Sequence, residues 1–201
     1  MRKKHLIFFR HGETDWNRQG IVQGHSQNPL NDTGRQQAHA LGAALKGKNL
    51  EVIVSSDLRR THETAEIVNS YLSVPLHTTP ALREVHAGSA QGTPRIEHMQ
   101  TTFWTYWTND HPDYDHAGYA GGETKGEAKK RAVEWIENFV ATTEHNRIGI
   151  CSHGTVMRLM IIALTGQVIR FANCDYVELN YHVQTNAWCI KDVSTVRWNM
   201  Y

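Results

Sequence analysis

Three times along this chain of 201 residues a short apolar run stops at polar and glycine residues, and helical patterns fill the stretches between. Residues 6–9, Leu-Ile-Phe-Phe, end at Arg10-His11-Gly12; residues 52–54, Val-Ile-Val, end at Ser55-Ser56; residues 147–152 end at His153-Gly154. Uninterrupted apolar runs of this length read as strands buried on both faces. Residues 33–46 read as a helix with Ala38, Leu41 and Leu45 on one face, Asn31 or Asp32 as its cap and Gly47 as its stop. Residues 57–71 and 155–164 are two more helices, each directly after a strand. The longest runs over 123–143, where Ala128, Ala132, Trp135, Ile136, Phe139 and Val140 form an apolar stripe. Strand, polar turn, helix is the rhythm of an α/β fold, here a three-layer α/β/α sandwich with a mainly parallel central sheet and right-handed crossovers. Residues 176–182 and 187–193, joined by a turn near 184–186, predict two further strands and one antiparallel edge. A single domain over 1–201 is expected.

Charge narrows the class of partner. Lysine and arginine number 21 against 20 acids, a net charge of +1, which makes no case for nucleic acid. The longest apolar run, residues 159–164, is six residues against the roughly 20 a bilayer requires, so no membrane association is expected. The basic start followed by residues 6–9 is too short an apolar stretch for an export signal and ends in Arg10. Cys151, Cys174 and Cys189, odd in number and widely spaced, then read as reduced thiols in a cytoplasmic protein. The 13 histidines raise the question of metal, yet HExxH, HxH and paired Cys/His spacings are absent, and neither a metal nor another cofactor is expected. His77, His98 and His145 read as surface or loop residues.

Ligands of open α/β sheets bind beyond the carboxyl ends of the strands. There this sequence gathers two arginines, Arg10 and Arg60, and two imidazoles, His11 and His153. Arginine's planar fork matches phosphate oxygens two at a time, and Gly12 and Gly154 let backbone N–H groups come close. One histidine at a strand end is ordinarily a structural residue bonded to backbone; two flanked by arginines favour an anion site, with phosphate the natural ligand. Arg59, on a different side of the helix start, and His62 read as solvated or salt-bridged.

Arg10-His11-Gly12-Glu13-Thr14, followed by Trp16-Asn17, Gly20, Gly24, Pro29-Leu30 and Gly34, resembles the opening signature of the histidine phosphatase superfamily, which includes cofactor-dependent phosphoglycerate mutases. The residues from Ser55 through Thr61, Leu82-Arg83-Glu84 and Ser152-His153-Gly154-Thr155 resemble that family's later segments, and Glu123 with Arg131 fits its pattern. The resemblance implies a phosphoglycerate mutase-like fold and no metal in the chemistry. It implies His11 as a nucleophile phosphorylated on a ring nitrogen, Arg60 as a phosphate ligand and Glu84 as proton donor to the leaving oxygen. Arg10, Arg60 and His153 are expected to hold the phosphoryl oxygens, with Asn17 as a neutral donor and Thr155 beside them. The chemistry is self-consistent. A neutral imidazole is a competent nucleophile near pH 7 if its other nitrogen donates to a fixed acceptor, for which a nearby backbone carbonyl suffices. Because monoester hydrolysis must be lowered by about 20 kcal/mol, several fixed donors have to act together. Glu13, Thr14 and Trp16 are left to shape the first loop.

The sequence departs from the family after Glu84. Residues 85–92 read Val-His-Ala-Gly-Ser-Ala-Gln-Gly, where many relatives carry bulky and acidic residues, and an aromatic cluster follows at Phe103, Trp104, Tyr106, Trp107, Tyr114 and Tyr119. Residues 86–122 are therefore read as a lid or insertion, with the cluster either covering the site or packing an extra helix. The chain is shorter than the mutases, and the resulting expectation is a metal-independent phosphomonoesterase acting on a small phosphorylated metabolite. Phosphoglycerate mutase-type transfer and a non-catalytic phospho-ligand binder on the same fold are the alternatives, and assembly as a homodimer stays open.

Overall fold

β1 (Lys3–Arg10) divides its apolar run between two cores. Leu6 and Phe8 pack on one side with Ala132, Ile136, Val156 and Met160, while Ile7 and Phe9 pack on the other with Ala38, Leu41, Ala65 and Val68. A strand side chain alternates faces at every residue, so four consecutive apolar residues are required to fill both layers. β2 (Val52–Ser56) and β4 (Arg147–Ser152) divide theirs in the same way. With β3 (Leu76–Thr79), β5 (Tyr176–His182) and β6 (Ala187–Ser194) they form one sheet in the order β3-β2-β4-β1-β5-β6. The first four strands in that order pair in parallel and β5 and β6 pair antiparallel. The structure, a computed structural model, describes residues 3–194.

Seven helices complete the described residues: α1 (Asp15–Gln19), α2 (Asp32–Leu45), α3 (Arg59–Asn69), α4 (Ile96–Met99), α5 (Thr102–Thr108), α6 (Lys125–Thr142) and α7 (Gly154–Thr165). α2 and α3 cover one face of the sheet, α6 and α7 the other, giving the expected α/β/α sandwich.

The departures from the sequence reading have local causes. β3 was not anticipated: Leu-His-Thr-Thr has no continuous apolar run, and as a half-exposed edge strand it needs none. α2 is capped by Asn31, but Gly47 does not end it; a 3-10 turn over Lys46–Lys48 carries the chain on to Asn49, which takes the left-handed conformation at φ 52°. α6 starts at Lys125 and not at 123, because Thr124 and Glu127 form a capping box that satisfies its first N–H groups. α3 is shorter than 57–71, with Leu58 still extended before it. His77 is exposed and His145 lies in the loop before β4, as expected, whereas His98 is half-buried on α4 and bonded to Thr93.

Between β3 and α6 the chain carries α4, α5 and several 3-10 turns. Lys125 is fully buried, and its ammonium donates to the carbonyls of Tyr106 (2.7 Å) and Asn109 (2.6 Å), fastening the end of α5 to the start of α6. Phe103, Trp107 and Tyr119 pack on one another with ring centroids 4.5–5.7 Å apart. Trp107 also packs on Val85, Ala128 and Leu159, and Trp104, Trp107 and Tyr119 wall the cavity described next.

Candidate functional site

Parallel register decides which residues meet. Arg10 lies opposite Ser152 across β1 and β4, and Ser55 opposite Cys151 across β2 and β4, so three strands end at one edge of the sheet. There they deliver Arg10-His11, Ser56 and His153, with Arg60 arriving on the first turn of α3. The loop after β1 crosses α2 so closely that a Cβ on Gly12 would stand 2.5 Å from the carbonyl oxygen of Gly34, which only glycine permits.

His11 is 2 % exposed. Its Nδ1–H donates to the carbonyl of Gly12 at 2.7 Å, which fixes the tautomer and leaves the lone pair on Nε2. Arg60 Nε donates to that Nε2 at 3.3 Å, and the two Nη atoms of Arg60 donate to the carbonyls of Ser26 and Gly24, each at 2.8 Å. Arg10 is anchored by one bond, Nη1 to the carbonyl of Phe171 at 2.7 Å, and its buried Nε has no protein partner. The ring of His153 is fully buried with its centroid 5.2 Å from that of His11. His153 Nε2 lies 2.9 Å from Ser56 Oγ. That hydroxyl oxygen already accepts from the N–H of Leu58, so its own proton can go to Nε2, placing the ring proton on Nδ1, which has no partner. Glu84 lies across the site: Oε1 accepts from the N–H groups of Val85 (3.0 Å) and Val156 (3.1 Å), and Oε2 from Thr155 N–H (3.1 Å). The carboxylate thus caps the first turn of α7, where the helix presents its positive end.

The electrostatics follow from burial of like charges. Burial first, and then Arg60 and Arg10, hold the imidazole of His11 well below the ordinary histidine range, and the same causes act on His153. Both rings are neutral at pH 7. Burial pushes Arg60 down to about 10 and lowers Arg10 as well, yet both guanidiniums stay charged. A cavity with this excess of positive charge and unspent donors is built for an anion.

Arg10, His11, Asn17, Arg60, Glu84 and Thr155 line a single cavity of about 330 Å³. His153 stands behind His11 and forms no part of its wall. Asn17 spends its carbonyl oxygen on Thr14 and on Asn173 Nδ2, which leaves its NH2 as the end available to a ligand. Arg59 is exposed, and His62 pairs with Glu66 away from the cavity. Glu123 and Arg131 make a two-pronged pair at 2.9 Å, and Arg131 also donates to the carbonyls of Ala81 and Arg83 beside Glu84. Sequence reasoning missed Ser56 as the orienter of His153, although it stands in a motif already singled out. It also missed Asn173, which donates to the carbonyl of His11 at 3.0 Å, and Arg95, Arg158 and Arg170 in the cavity wall; these come from separate segments and carry no local signal. Among the described residues no cluster of three or more His, Cys, Asp or Glu side chains offers a metal site.

Known proteins resemble this chain over nearly its whole length. A family model described as the histidine phosphatase superfamily (branch 1) matches residues 6–192. The chain is 31 % identical to the uncharacterised phosphatase PhoE of Bacillus subtilis over 93 % of this chain and 92 % of that one. It is 28 % identical to a probable phosphoglycerate mutase, GpmB, of Yersinia enterocolitica over 91 % and 86 %. Among solved structures, a putative alpha-ribazole-5'-P phosphatase from Escherichia coli superimposes with a TM-score of 0.83 at 25 % identity, covering 96 % of each chain. A mycobacterial glucosyl-3-phosphoglycerate phosphatase in complex with VO3 gives 0.83 at 25 % identity, over 94 % of this chain and 98 % of that one.

Proposed function

This chain belongs to the histidine phosphatase superfamily, and from that premise we propose that it hydrolyses small phosphate monoesters through a phosphohistidine on His11, without a metal. The observation that carries the reading is the bond from His11 Nδ1–H to the Gly12 carbonyl, which leaves Nε2 as a neutral nucleophile facing a cavity lined with guanidiniums.

A phosphomonoester dianion entering the cavity takes up the donors of Arg10 and Arg60 and the Asn17 amide, while His153, behind His11 and outside the cavity wall, packs edge-on against the nucleophile's ring. Nε2 then attacks phosphorus in line: the N–P bond forms, the P–O ester bond breaks, and the departing alkoxide takes a proton from Glu84. Negative charge on the equatorial oxygens stays among fixed donors that need no reorganisation, which is where most of the acceleration arises. In the second half a water attacks the phosphohistidine and gives its proton to the Glu84 carboxylate. The N–P bond breaks, inorganic phosphate leaves, and His11 and Glu84 are restored. The phosphatase names of PhoE and of the superimposed structures support hydrolysis, and the mutase name of GpmB supports phosphoryl transfer as the alternative.

The test is p-nitrophenyl phosphate hydrolysis in the presence of chelator, together with acid quench of a turnover mixture containing radiolabelled substrate. Chelator-resistant turnover, an acid-labile phosphoryl adduct, and loss of both in His11→Ala are expected. Turnover retained by His11→Ala sinks the mechanism, and phosphate binding without any turnover makes the protein a binder. Transfer from a diphosphorylated glycerate to a monophosphoglycerate that outruns phosphate release makes it a mutase.

A further inference from the structure

The cavity holds more positive charge than one phosphate can use. Five guanidiniums line it, those of Arg10, Arg60, Arg95, Arg158 and Arg170, against the carboxylate of Glu84 in the same wall. Asp110, beside the wall, lies between two of the five: Oδ1 is 3.1 Å from Arg158 Nε without hydrogen-bond alignment, and Oδ2 is 3.8 Å from Arg170. Glu84 must be protonated to deliver its proton, so in the reacting complex the carboxylates set against the five cations are Asp110 and Asp175, whose charge acts on Arg10. A phosphate dianion offsets two more. One positive charge remains uncompensated, among the arginines that stand away from the transferred phosphoryl group.

Their placement says what they face. Arg158 lies on α7 a turn beyond Thr155, on the side of the cavity that carries Glu84, and it is only 8 % exposed. Arg170 precedes Phe171, whose carbonyl anchors Arg10, and its side chain is 64 % exposed. Arg95 enters from residues 86–122, held by its own N–H to the carbonyl of Gly20 at 2.7 Å, and has no carboxylate partner among the described residues. It acts on both Arg10 and Tyr119 through its charge, so it reaches the mouth of the site. Asp110 is kept in place by the grip of Lys125 on the carbonyl of Asn109. The three arginines thus converge from three separate segments on the space beyond the proton donor, where the leaving group of a bound monoester lies.

We propose that the leaving group carries a second anionic group, a carboxylate or another phosphate, held by Arg95, Arg158 and Arg170. The proposal rests on the hydrolase reading above and names the substrate class of that site. A cavity of about 330 Å³ suits a small metabolite.

Propyl phosphate, 3-(phosphonooxy)propanoate and propane-1,3-diyl bisphosphate differ only at the carbon far from the reacting phosphate. The native protein is expected to favour at least one of the two anionic members over propyl phosphate by about tenfold or more in kcat/KM, the worth of one charge-assisted hydrogen bond. Which member wins tells a carboxylate site from a phosphate site. Arg95→Ala and Arg170→Ala, at exposed positions that tolerate truncation, are each expected to move that ratio toward one; Arg158→Met does the same if it folds. Equal kcat/KM for all three compounds, or variants that lower all three alike, overturns the second subsite while leaving hydrolysis standing. If none is hydrolysed, calorimetric Kd values of the same three compounds decide: about tenfold tighter binding of an anionic member upholds the subsite and removes hydrolysis, and equal binding removes the subsite too.

Discussion

The three backbone N–H groups that point at Glu84 set how it can work as an acid. A carboxylate offers about four lone-pair positions, and Glu84 spends two on Oε1 and one on Oε2. The position left over, on Oε2, is where a proton can sit without breaking a contact. Glu84→Gln replaces that oxygen with an NH2 that cannot donate a proton to an alkoxide and that turns N–H against N–H at α7. The two effects separate by substrate. An alkyl phosphate needs the proton, so its turnover is expected to fall by about 10²- to 10⁴-fold. p-Nitrophenyl phosphate expels a weakly basic phenolate and reports only the local disturbance, for which a loss of about tenfold or less is expected. Parallel steady-state measurements on the two substrates check this, and equal losses on both remove Glu84 from the role of proton donor.

Glu84 itself sits on a stretch without helix or strand, residues 83–87, and α6 is what holds that stretch in place. Arg131 grips Glu123 with two nitrogens and donates to the carbonyls of Ala81 and Arg83, Glu123 accepts from the N–H of His86, and His25 donates to the carbonyl of Glu84 at 2.7 Å. Arg131→Met removes the donors and keeps the apolar stem. The phosphate contacts proposed for Arg10 and Arg60 do not involve this network, so kcat on an alkyl phosphate is expected to drop by about tenfold or more through misplacement of the acid, with KM changed by no more than about threefold. A merely structural Arg131 lowers the melting temperature and leaves the kcat of the folded fraction unchanged, and that result excludes a positioning role. The sequence shows Glu123 and Arg131 but hides their contact, because the periodicity carries the helix two residues too far. Thr124-Lys125-Gly126-Glu127 has the spacing of a capping box, and weighting it would have freed Glu123 for its partner. Arg10, His11, Arg60 and His153 were readable because apolar runs mark strand ends and strand ends in such sheets face ligands; that a backbone carbonyl fixes the tautomer of His11 was readable too, but not that it belongs to Gly12. Arg95, Arg158 and Arg170 were not, since their meeting depends on the path of 86–122 over the sheet, which no local pattern encodes. β3 escaped for the opposite reason: an exposed edge strand needs no apolar signature.

A net charge of +1 conceals an uneven distribution, with an excess of cations gathered at one edge of the sheet. Keeping His11 and His153 neutral in that surrounding ties the stability of the fold to pH. Both folded values lie well below 6.5, and those of His5 and His25 are lowered as well, chiefly by burial. As pH falls through 6.5 the unfolded chain takes up protons at these positions and the folded chain does not, so stability is full above 6.5 and declines below it. Each of the two catalytic-site rings contributes up to about 1.4 kcal/mol of loss per pH unit until its folded value is reached, about 3 kcal/mol per unit for the pair. The lowered carboxylates act later: Glu178, held at about 2 by Lys191 and Lys48 against its own burial, and Asp57, paired with Arg83, withdraw their support only below about 4.5. A thermal melt series between pH 7.5 and 5 is therefore expected to show the melting temperature falling from about pH 6.5, ahead of carboxylate titration, and His11→Asn to flatten that slope. Inorganic phosphate, proposed as a ligand of the folded cavity, is expected to raise the melting temperature across the series. A melting temperature that stays level down to pH 5 in the native protein means that the two rings take up protons inside the fold as readily as in the unfolded chain, and their depression by burial and by the arginines is refuted.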